Sequence, residues 1–220
     1  MKGLDSPWID FNLYLITGRG ETLGRNLEFV VEEALRGGVR AVQLRDKGAA
    51  STKELYETAQ ELRRLTSRYG AKLLINDRVD VALAVDADGV HIGSSSLPLY
   101  KVRRLLGERK LIGVSCHNQI QAVTAQEMGA DFITFGPVYY TPSKAEYGGP
   151  VGIGKLNQVA QQLQIPVFAL GGVNLENCAE AVAGEASGIA LISAILSAPD
   201  PRDAAKRLLA MLPPVEEHHV

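Results

Sequence analysis

The stretch Thr134–Gly154, TFGPVYYTPSKAEYGGPVGIG, joins a buried strand to a long polar loop. The apolar run Asp131–Phe135 leads into it and stops abruptly at Gly136-Pro137. A loop of this length inside a compact domain is usually functional. Its hydroxyls, lysine and glycines suit a phosphate or pyrophosphate, because lysine supplies charge while hydroxyls and amides supply donors. A solvated surface loop is the competing interpretation.

Outward from this stretch, the order of apolar run, turn and amphipathic segment repeats along the chain. Strands are predicted at Leu13–Thr17, Ala41–Arg45, Lys72–Asn76, Gly89–Ile92, Leu111–Ser115, Phe132–Gly136, Val167–Gly171 and Gly188–Ser193. Helices are predicted near 23–37, 51–69, 78–85, 98–106, 118–128, 154–163, 174–183 and 201–212. Eight such units predict a parallel sheet closed into a (β/α)8 TIM barrel. The prediction is one domain over 1–220, with the barrel at about 11–212.

Two helix starts have a local cause in this pattern. Ser51 precedes Glu54 at the spacing of a capping box, and Asn174 precedes its helix in the same manner. An open doubly wound sheet is the alternative architecture. It usually has fewer strands and a glycine-rich first turn, which TGRGETLG imitates only loosely.

The composition is that of an ordinary globular chain of 220 residues, with 46% hydrophobic and 22% charged residues. A formal net charge of −2 favours neither nucleic acid nor an anionic membrane as a partner. The N-terminus has no apolar signal segment, no membrane-spanning run follows, and the two cysteines make no disulfide framework. The sequence therefore predicts a cytoplasmic protein, compatible with a homodimer, that acts on small phosphorylated molecules.

Polar residues at the carboxyl ends of barrel strands are the candidates for function, since active sites of such barrels lie at that rim. Applied to the strands above, this filter selects Gln43, Arg45, Lys47, Asn76, Asp77, Ser115, His117, Thr141, Ser143, Lys144, Gly172, Ile192 and Ser193. It also reaches Arg78, directly after Asn76-Asp77, to which no role is given.

Gly171-Gly172 and Ile192-Ser193 follow the seventh and eighth strands, where barrels of this class commonly bind phosphate through backbone amides. The competing interpretation is that the two glycines merely permit a tight turn. Lys47 and Lys144 are favoured as anion ligands, because each follows a strand end and both therefore face the same mouth of the barrel.

Asp77 is the clearest carboxylate for a divalent cation, and Asp46 is a weaker candidate. Mg²⁺ takes one or two carboxylates together with waters and substrate phosphates, so one aspartate is sufficient but sparse. Asp77 could instead cap the following helix. His91 is expected to pack or hydrogen-bond inside the barrel mouth. Cys116 and His117 are adjacent along a strand, so their side chains diverge and do not form a nucleophilic pair.

These residues resemble one family. The segments that carry the resemblance are QLRDK, LLINDRVDVAL, DADGVHIG, IGVSCHN, GADFITFGPVYYTPSK, VFALGGV and GIALIS, in this order. They are similar to the thiamine phosphate synthases and the related TenI-type thiazole tautomerases, over nearly the whole chain. A synthase of this family joins hydroxymethylpyrimidine diphosphate to a thiazole phosphate and releases pyrophosphate.

The resemblance implies a role for each candidate. Diphosphate binding falls to Gln43, Arg45, Lys47, Asn76 and Lys144. Asp77 matches a Mg²⁺ ligand, and Ser115 a group near the pyrimidine. Binding of the thiazole phosphate falls to Thr141, Ser143, Gly172, Ile192 and Ser193. Lys47, Asn76, Ser115, Lys144 and His117 are the implied catalytic residues.

Two positions depart from the family pattern. Ser96 stands where the synthases usually carry a second aspartate ligand for Mg²⁺, and the first strand ends in Thr17-Gly18 instead of Thr-Asp. Loss of a metal carboxylate is typical of the tautomerases, in which a histidine matching His117 moves protons. The retained Asn76-Asp77 and Thr-Pro-Ser-Lys loop favour the synthase. A non-catalytic barrel that binds thiamine precursors is a further alternative.

Overall fold

A computed structural model gives the fold of residues 9–46, 48, 51–141 and 149–215. Eight strands close into one parallel barrel in chain order, with β1 paired to β8. The strands are β1 (Leu13–Ile16), β2 (Ala41–Leu44), β3 (Lys72–Asn76), β4 (Gly89–Ile92), β5 (Leu111–Cys116), β6 (Phe132–Phe135), β7 (Val167–Leu170) and β8 (Gly188–Leu191). This confirms the predicted TIM barrel and excludes the open sheet.

Helices surround the barrel between successive strands. They are α1 (Leu27–Arg36), α2 (Thr52–Arg68), α3 (Val79–Ala84), α4 (Leu99–Leu106), α5 (Gln119–Glu127), α6 (Gly152–Gln162), α7 (Cys178–Val182), α8 (Ser193–Leu196) and α9 (Pro201–Leu209). A 3₁₀ turn, Arg19–Glu21, precedes α1. The sequence missed this turn and α8, because three or four residues are too short to show a helical period.

Side-chain capping explains the start of α2 but not that of α7. Ser51 accepts a hydrogen bond from the Glu54 N–H at 3.1 Å, as predicted. The prediction for Asn174 was wrong: its side chain accepts from the Glu176 N–H in a local turn, and α7 begins only at Cys178. An Asx turn there competes with the helix for the same backbone donors.

Aromatic rings fill the lower part of the barrel interior. The cluster contains Phe11, Tyr14, Phe132 and Phe168, with ring centroids 5.3–6.4 Å apart. A side chain at Gly113 would place its Cβ 2.4 Å from the Phe132 ring. The glycine in β5 is therefore required by close packing.

The amino-terminal rim is held by three reciprocal hydrogen-bonded pairs. Asp88, just before β4, donates its N–H to Leu73 O, and its carboxylate accepts the Leu73 N–H at 2.7 Å. Asp131 forms the same pair with Ile112 in β5, and Ser187 with Val167 in β7. Arg63 of α2 and Arg103 of α4 neutralise the two aspartates. These pairs fix the end of the barrel opposite the predicted site.

Candidate active site

Two cavities open at the carboxyl ends of the strands. The β6–β8 cavity, about 410 Å³, is lined by Glu21, His117, Gly136, Pro137, Tyr140, Thr141, Leu170–Asn174 and Ala190–Ala194. The β2–β3 cavity, about 380 Å³, is lined by Asp46, Ser51, Thr52, Leu55, Asn76, Asp77 and Arg78. Both are large enough for a small phosphorylated molecule.

The wall of the β6–β8 cavity is largely backbone. Gly171 and Gly172 have φ of +96° and +67°, a region that side chains rarely adopt. A Cβ at Gly172 would lie 2.6 Å from Tyr140 O, because the loop after β6 lies directly on the glycine pair. Tyr139 N donates to Gly171 O at 3.0 Å and fixes that contact. Glycine at 172 is therefore needed for conformation and for space.

The β8 side of this cavity is tied to the loop after β1. Arg25 donates to Leu196 O at 2.7 Å, to Ala198 O at 2.8 Å and to Thr22 O at 3.0 Å. Ser197 Oγ donates to Glu21 O at 2.8 Å. These bonds satisfy the carbonyls at the end of α8 and hold Ile192 and Ser193 against the β1–α1 loop.

His117 stands exposed on the edge of the β6–β8 cavity. Its Nδ1 lies 2.6 Å from Gly136 O, and a carbonyl only accepts, so Nδ1 carries the proton. In the neutral ring this leaves Nε2 with its lone pair, without a partner among the residues that the structure describes. The imidazole is therefore oriented to accept a proton.

Asp77 occupies the β2–β3 cavity in an unusual backbone conformation, with φ of +62°. Asn76 Nδ2 donates to one carboxylate oxygen at 2.7 Å, and the Ser96 hydroxyl donates to the other. Ser96 Oγ in turn accepts the Gly93 N–H at 2.7 Å. A left-handed aspartate held from both sides is a strained, pre-organised group of the kind found at functional sites. Its carboxylate does not cap α3, so that alternative was wrong.

A polar floor lies among the inward-facing ends of β2, β4, β5 and β6. Gln43 is buried and donates to Tyr14 OH at 3.0 Å. His91 Nε2 lies 2.9 Å from Ser115 Oγ, and Thr134 Oγ1 lies 3.4 Å from that oxygen. Burial lowers the pKa of His91 to about 3, so the ring is neutral. Ser115 is the half-buried member of this chain of hydrogen bonds, so its hydroxyl is the one nearest the mouth.

The structure separates the predicted residues into three groups. Thr141, His117, Gly172, Ile192 and Ser193 line the β6–β8 cavity. Asn76 and Asp77 line the β2–β3 cavity, while Gln43 and Ser115 belong to the floor. Arg45 is half-buried after β2, where its N–H donates to Thr17 Oγ1 at 2.9 Å, and it lines neither cavity. Lys47, Ser143 and Lys144 lie outside the described residues.

Two charged lining residues received no role from the sequence. Arg78, which the strand-end filter had reached, lines the β2–β3 cavity and pairs with Asp80 at 2.6 and 2.9 Å, and Thr52 accepts from it at 3.2 Å. Glu21 lines the β6–β8 cavity and was missed, because it lies on a loop that has no periodic signal.

Three further observations concern Cys116, metal-ligating clusters and membrane-spanning helices. Burial raises the pKa of the Cys116 thiol to about 12, so it is not a thiolate nucleophile near neutral pH. Across the described part of the chain, no three His, Cys, Asp or Glu side chains converge as a metal centre. Within the same residues, no helix is long and apolar enough to cross a membrane.

A closed parallel barrel with a backbone-lined cavity after β7 and β8 has the arrangement in which (β/α)8 barrels commonly bind phosphate. Residues 13–195 match the family model described as thiamine monophosphate synthase. The chain is 58% identical over 206 residues to a putative thiamine-phosphate synthase of Geobacter sulfurreducens, covering 94% of this chain and 96% of the relative. It is 44% identical to the thiamine-phosphate synthase of Chloroflexus aurantiacus, covering 95% and 96%. The protein belongs to the thiamine monophosphate synthase family.

A solved structure supports the same relation. Thiamine phosphate pyrophosphorylase from Pyrococcus furiosus superposes with a TM-score of 0.83 at 38% identity, covering 91% of this chain and 94% of that one. A 3-hexulose-6-phosphate synthase superposes with a TM-score of 0.66 at 15% identity, which is a likeness of fold alone. The family resemblance predicted from the motifs is therefore confirmed.

Proposed function

We propose that this protein is a thiamine-phosphate synthase, which joins hydroxymethylpyrimidine diphosphate to thiazole phosphate and releases pyrophosphate. The observation that carries the proposal is the pair of cavities at one rim. A condensation of two phosphorylated substrates needs two anion sites beside one reaction centre. The family membership and the curated relatives support the same activity.

Each cavity is assigned one substrate by its chemistry. The β6–β8 cavity takes the thiazole phosphate, with the phosphate on backbone donors near Gly172 and Ser193. The β2–β3 cavity takes the diphosphate beside Asn76 and Asp77. Arg45, Lys47 and Lys144 contribute positive charge in this proposal, and Ser143 a donor for the thiazole phosphate, roles that rest on the sequence resemblance. Ser115 contacts the pyrimidine from the floor, and Gln43 keeps the diphosphate role that the sequence resemblance implies.

The reaction requires no nucleophilic side chain. The bond between the pyrimidine methylene and the diphosphate oxygen breaks, and pyrophosphate leaves with the electron pair. The lone pair of the thiazole nitrogen then forms the new bond to the methylene carbon. The protein contributes by holding the two substrates in line and by stabilising the charge on the leaving group.

Mg²⁺ is part of the proposal, and the residues around Asp77 fit it. One carboxylate with a neighbouring amide and hydroxyl offers oxygen ligands of the type that Mg²⁺ uses, and substrate phosphate oxygens and waters complete its shell. When bound, the ion neutralises charge on the leaving pyrophosphate. Asp46, on the same cavity, is the weaker second carboxylate.

The decisive experiment incubates purified protein with both precursors and Mg²⁺ and follows pyrophosphate and thiamine phosphate together. We expect one of each per turnover, and no release when the thiazole phosphate is omitted. The proposal is abandoned if neither product forms at saturating Mg²⁺. Binding of both precursors without turnover would instead identify the non-catalytic barrel.

Thiazole tautomerase is a second candidate, favoured by the geometry of His117. In the neutral ring, the proton on Nδ1 beside Gly136 O leaves the lone pair of Nε2 at the cavity edge, a geometry that suits proton transfer on a thiazole ring. The two candidates separate in one comparison. A tautomerase isomerises the thiazole without Mg²⁺ and loses this activity in His117→Ala, by about 10²–10⁴-fold.

A cytoplasmic location and a homodimer stay predictions.

A further inference from the structure

Glu21 gives the β6–β8 cavity a negative charge that none of the assigned roles uses. Among the described residues lining this cavity it is the one carboxylate, and no lysine or arginine accompanies it there. A carboxylate beside a phosphate site is unfavourable unless the ligand also carries positive charge. Binding of the proposed phosphate therefore does not explain the Glu21 carboxylate in this cavity.

The position of Glu21 is fixed by its backbone. Its N–H donates to Gly18 O at 3.1 Å, and its carbonyl accepts from Ser197 Oγ at 2.8 Å. The next residue, Thr22, is held through its carbonyl by Arg25, which also binds the carbonyls after α8. Glu21 and the β8 side of the cavity are thus parts of one hydrogen-bonded unit, so the carboxylate is not on a free loop.

Glu21 also occupies the space of a missing side chain. A Cβ at Gly18, the residue after Thr17 at the end of the first strand, would lie 3.1 Å from Glu21 Cγ and 3.7 Å from Ile192 Cγ2. The aliphatic part of the Glu21 side chain therefore lies against the backbone of Gly18.

We infer that Glu21 supplies the counter-charge for the thiazolium cation that forms in the β6–β8 cavity, an inference that rests on the proposed function. The substrate thiazole is a neutral ring, and alkylation of its nitrogen makes a permanent cation without any proton transfer. Repulsion between Glu21 and the phosphate is the same before and after this step. Attraction to the ring appears only as the new bond forms, so Glu21 stabilises the transition state and product relative to the bound substrate.

The experiment measures ring charge directly. Isothermal titration compares thiazole phosphate with its N-methylthiazolium derivative, which differs by one methyl group and one positive charge. We expect the wild type to bind the cation about tenfold more tightly, a Coulomb effect reduced by partial exposure. Glu21→Gln should abolish the preference. Glu176→Gln removes a carboxylate from the neighbouring loop outside the cavity lining and should retain it.

Turnover and rescue complete the test. Glu21→Gln should lower kcat about tenfold without raising KM for thiazole phosphate, since phosphate repulsion is also relieved. Gly18→Asp combined with Glu21→Ala should restore the cation preference, because the alanine lacks the Cγ that lies 3.1 Å from a Cβ at Gly18, and the extended backbone of Gly18, φ −158°, accepts a side chain. Equal affinities of the wild type for the two ligands, or an unchanged preference in Glu21→Gln, overturn the inference. Neither binding result depends on turnover, whereas absent pyrophosphate release by the wild type rejects the proposed function itself.

Discussion

The two cavities at the mouth have similar volumes but are built from different parts of the chain. The β6–β8 cavity presents backbone around Gly171 and Gly172, whereas the β2–β3 cavity presents the side chains of Asn76, Asp77 and Arg78. A backbone site is broken by adding atoms, because only bulk or strain can remove its donors. A side-chain site is broken by removing atoms, because its ligands are the side chains themselves. The two cavities should therefore respond to opposite kinds of substitution.

The largest effect is expected from Asp77→Ala in the β2–β3 cavity. Loss of the carboxylate removes the proposed Mg²⁺ ligand and the partner of Asn76 and Ser96. Pyrophosphate release should fall on the order of 10²–10³-fold at saturating Mg²⁺. Titration with thiazole phosphate should give the wild-type affinity. If the affinity for thiazole phosphate falls by the same factor as pyrophosphate release, the two cavities do not act separately. Asp86→Ala, on the opposite rim, serves as the control.

Gly172→Asp is the matching change in the β6–β8 cavity. The backbone at position 172 has φ of +67°, which strains any residue with a side chain, and the new Cβ would lie too close to Tyr140 O. We therefore expect about a hundredfold loss of thiazole-phosphate affinity. Pyrophosphate binding in the presence of Mg²⁺ should be unchanged. Gly70→Asp has nearly the same backbone strain, φ +61°, with no atom near its Cβ, and controls for lost stability. Normal thiazole-phosphate binding by the Gly172 variant would place the phosphate elsewhere.

Acid should destabilise the whole barrel, and not one cavity alone, because His91 is buried among the inward-facing strand ends. The unfolded chain binds a proton near the ordinary pKa of 6.5, but the folded chain does so only near the lowered pKa of about 3. The free energy of unfolding should therefore fall as pH decreases through this window, by up to about 1.4 kcal/mol per pH unit. Urea unfolding at pH 7 and pH 5 measures this slope. A wild-type slope in His91→Gln would assign the acid sensitivity to other groups.

Ser96→Asp should give the smallest effect, and in the opposite direction. A second carboxylate beside Asp77 should reduce the Mg²⁺ concentration for half-maximal pyrophosphate release about threefold to tenfold. Ser95→Asp adds the same charge one residue away at an exposed position and should change it little. A higher Mg²⁺ requirement in Ser96→Asp would show that the hydroxyl bond to Asp77 matters more than charge.

Most of the barrel could be predicted because each strand is a short apolar run between glycine turns and helical patterns. The errors lie where that contrast disappears. Predicted strand ends at Thr17, Gly136 and Ser193 extend one or two residues past the observed ends, since residues leaving a barrel remain apolar or small. The late start of α7 reflects the side-chain turn at Asn174, which composition alone cannot distinguish from a cap.

The site was predictable as a set of residues but not as an arrangement. Strand ends and family motifs selected Asp77 and Gly172, yet neither indicated that they line separate cavities. The bond between Ser96 and Asp77 joins residues 19 apart in sequence, and it depends on the turn after β4. Glu21 could not have been selected, because its importance comes from the absent side chain of Gly18 and from the bond to Ser197.

The reciprocal pairs at the amino-terminal rim divide the barrel into modules of two strands. Asp88 joins β4 to β3, Asp131 joins β6 to β5, and Ser187 joins β8 to β7. Each of these three modules carries its own lock, and among the described residues no such reciprocal pair crosses from one module to the next. New chain termini placed after β4 or after β6 would therefore leave all three locks inside continuous segments. A break between β3 and β4 would turn one lock into a contact between fragments, so the modules set natural boundaries for circular permutation or for building chimeric barrels.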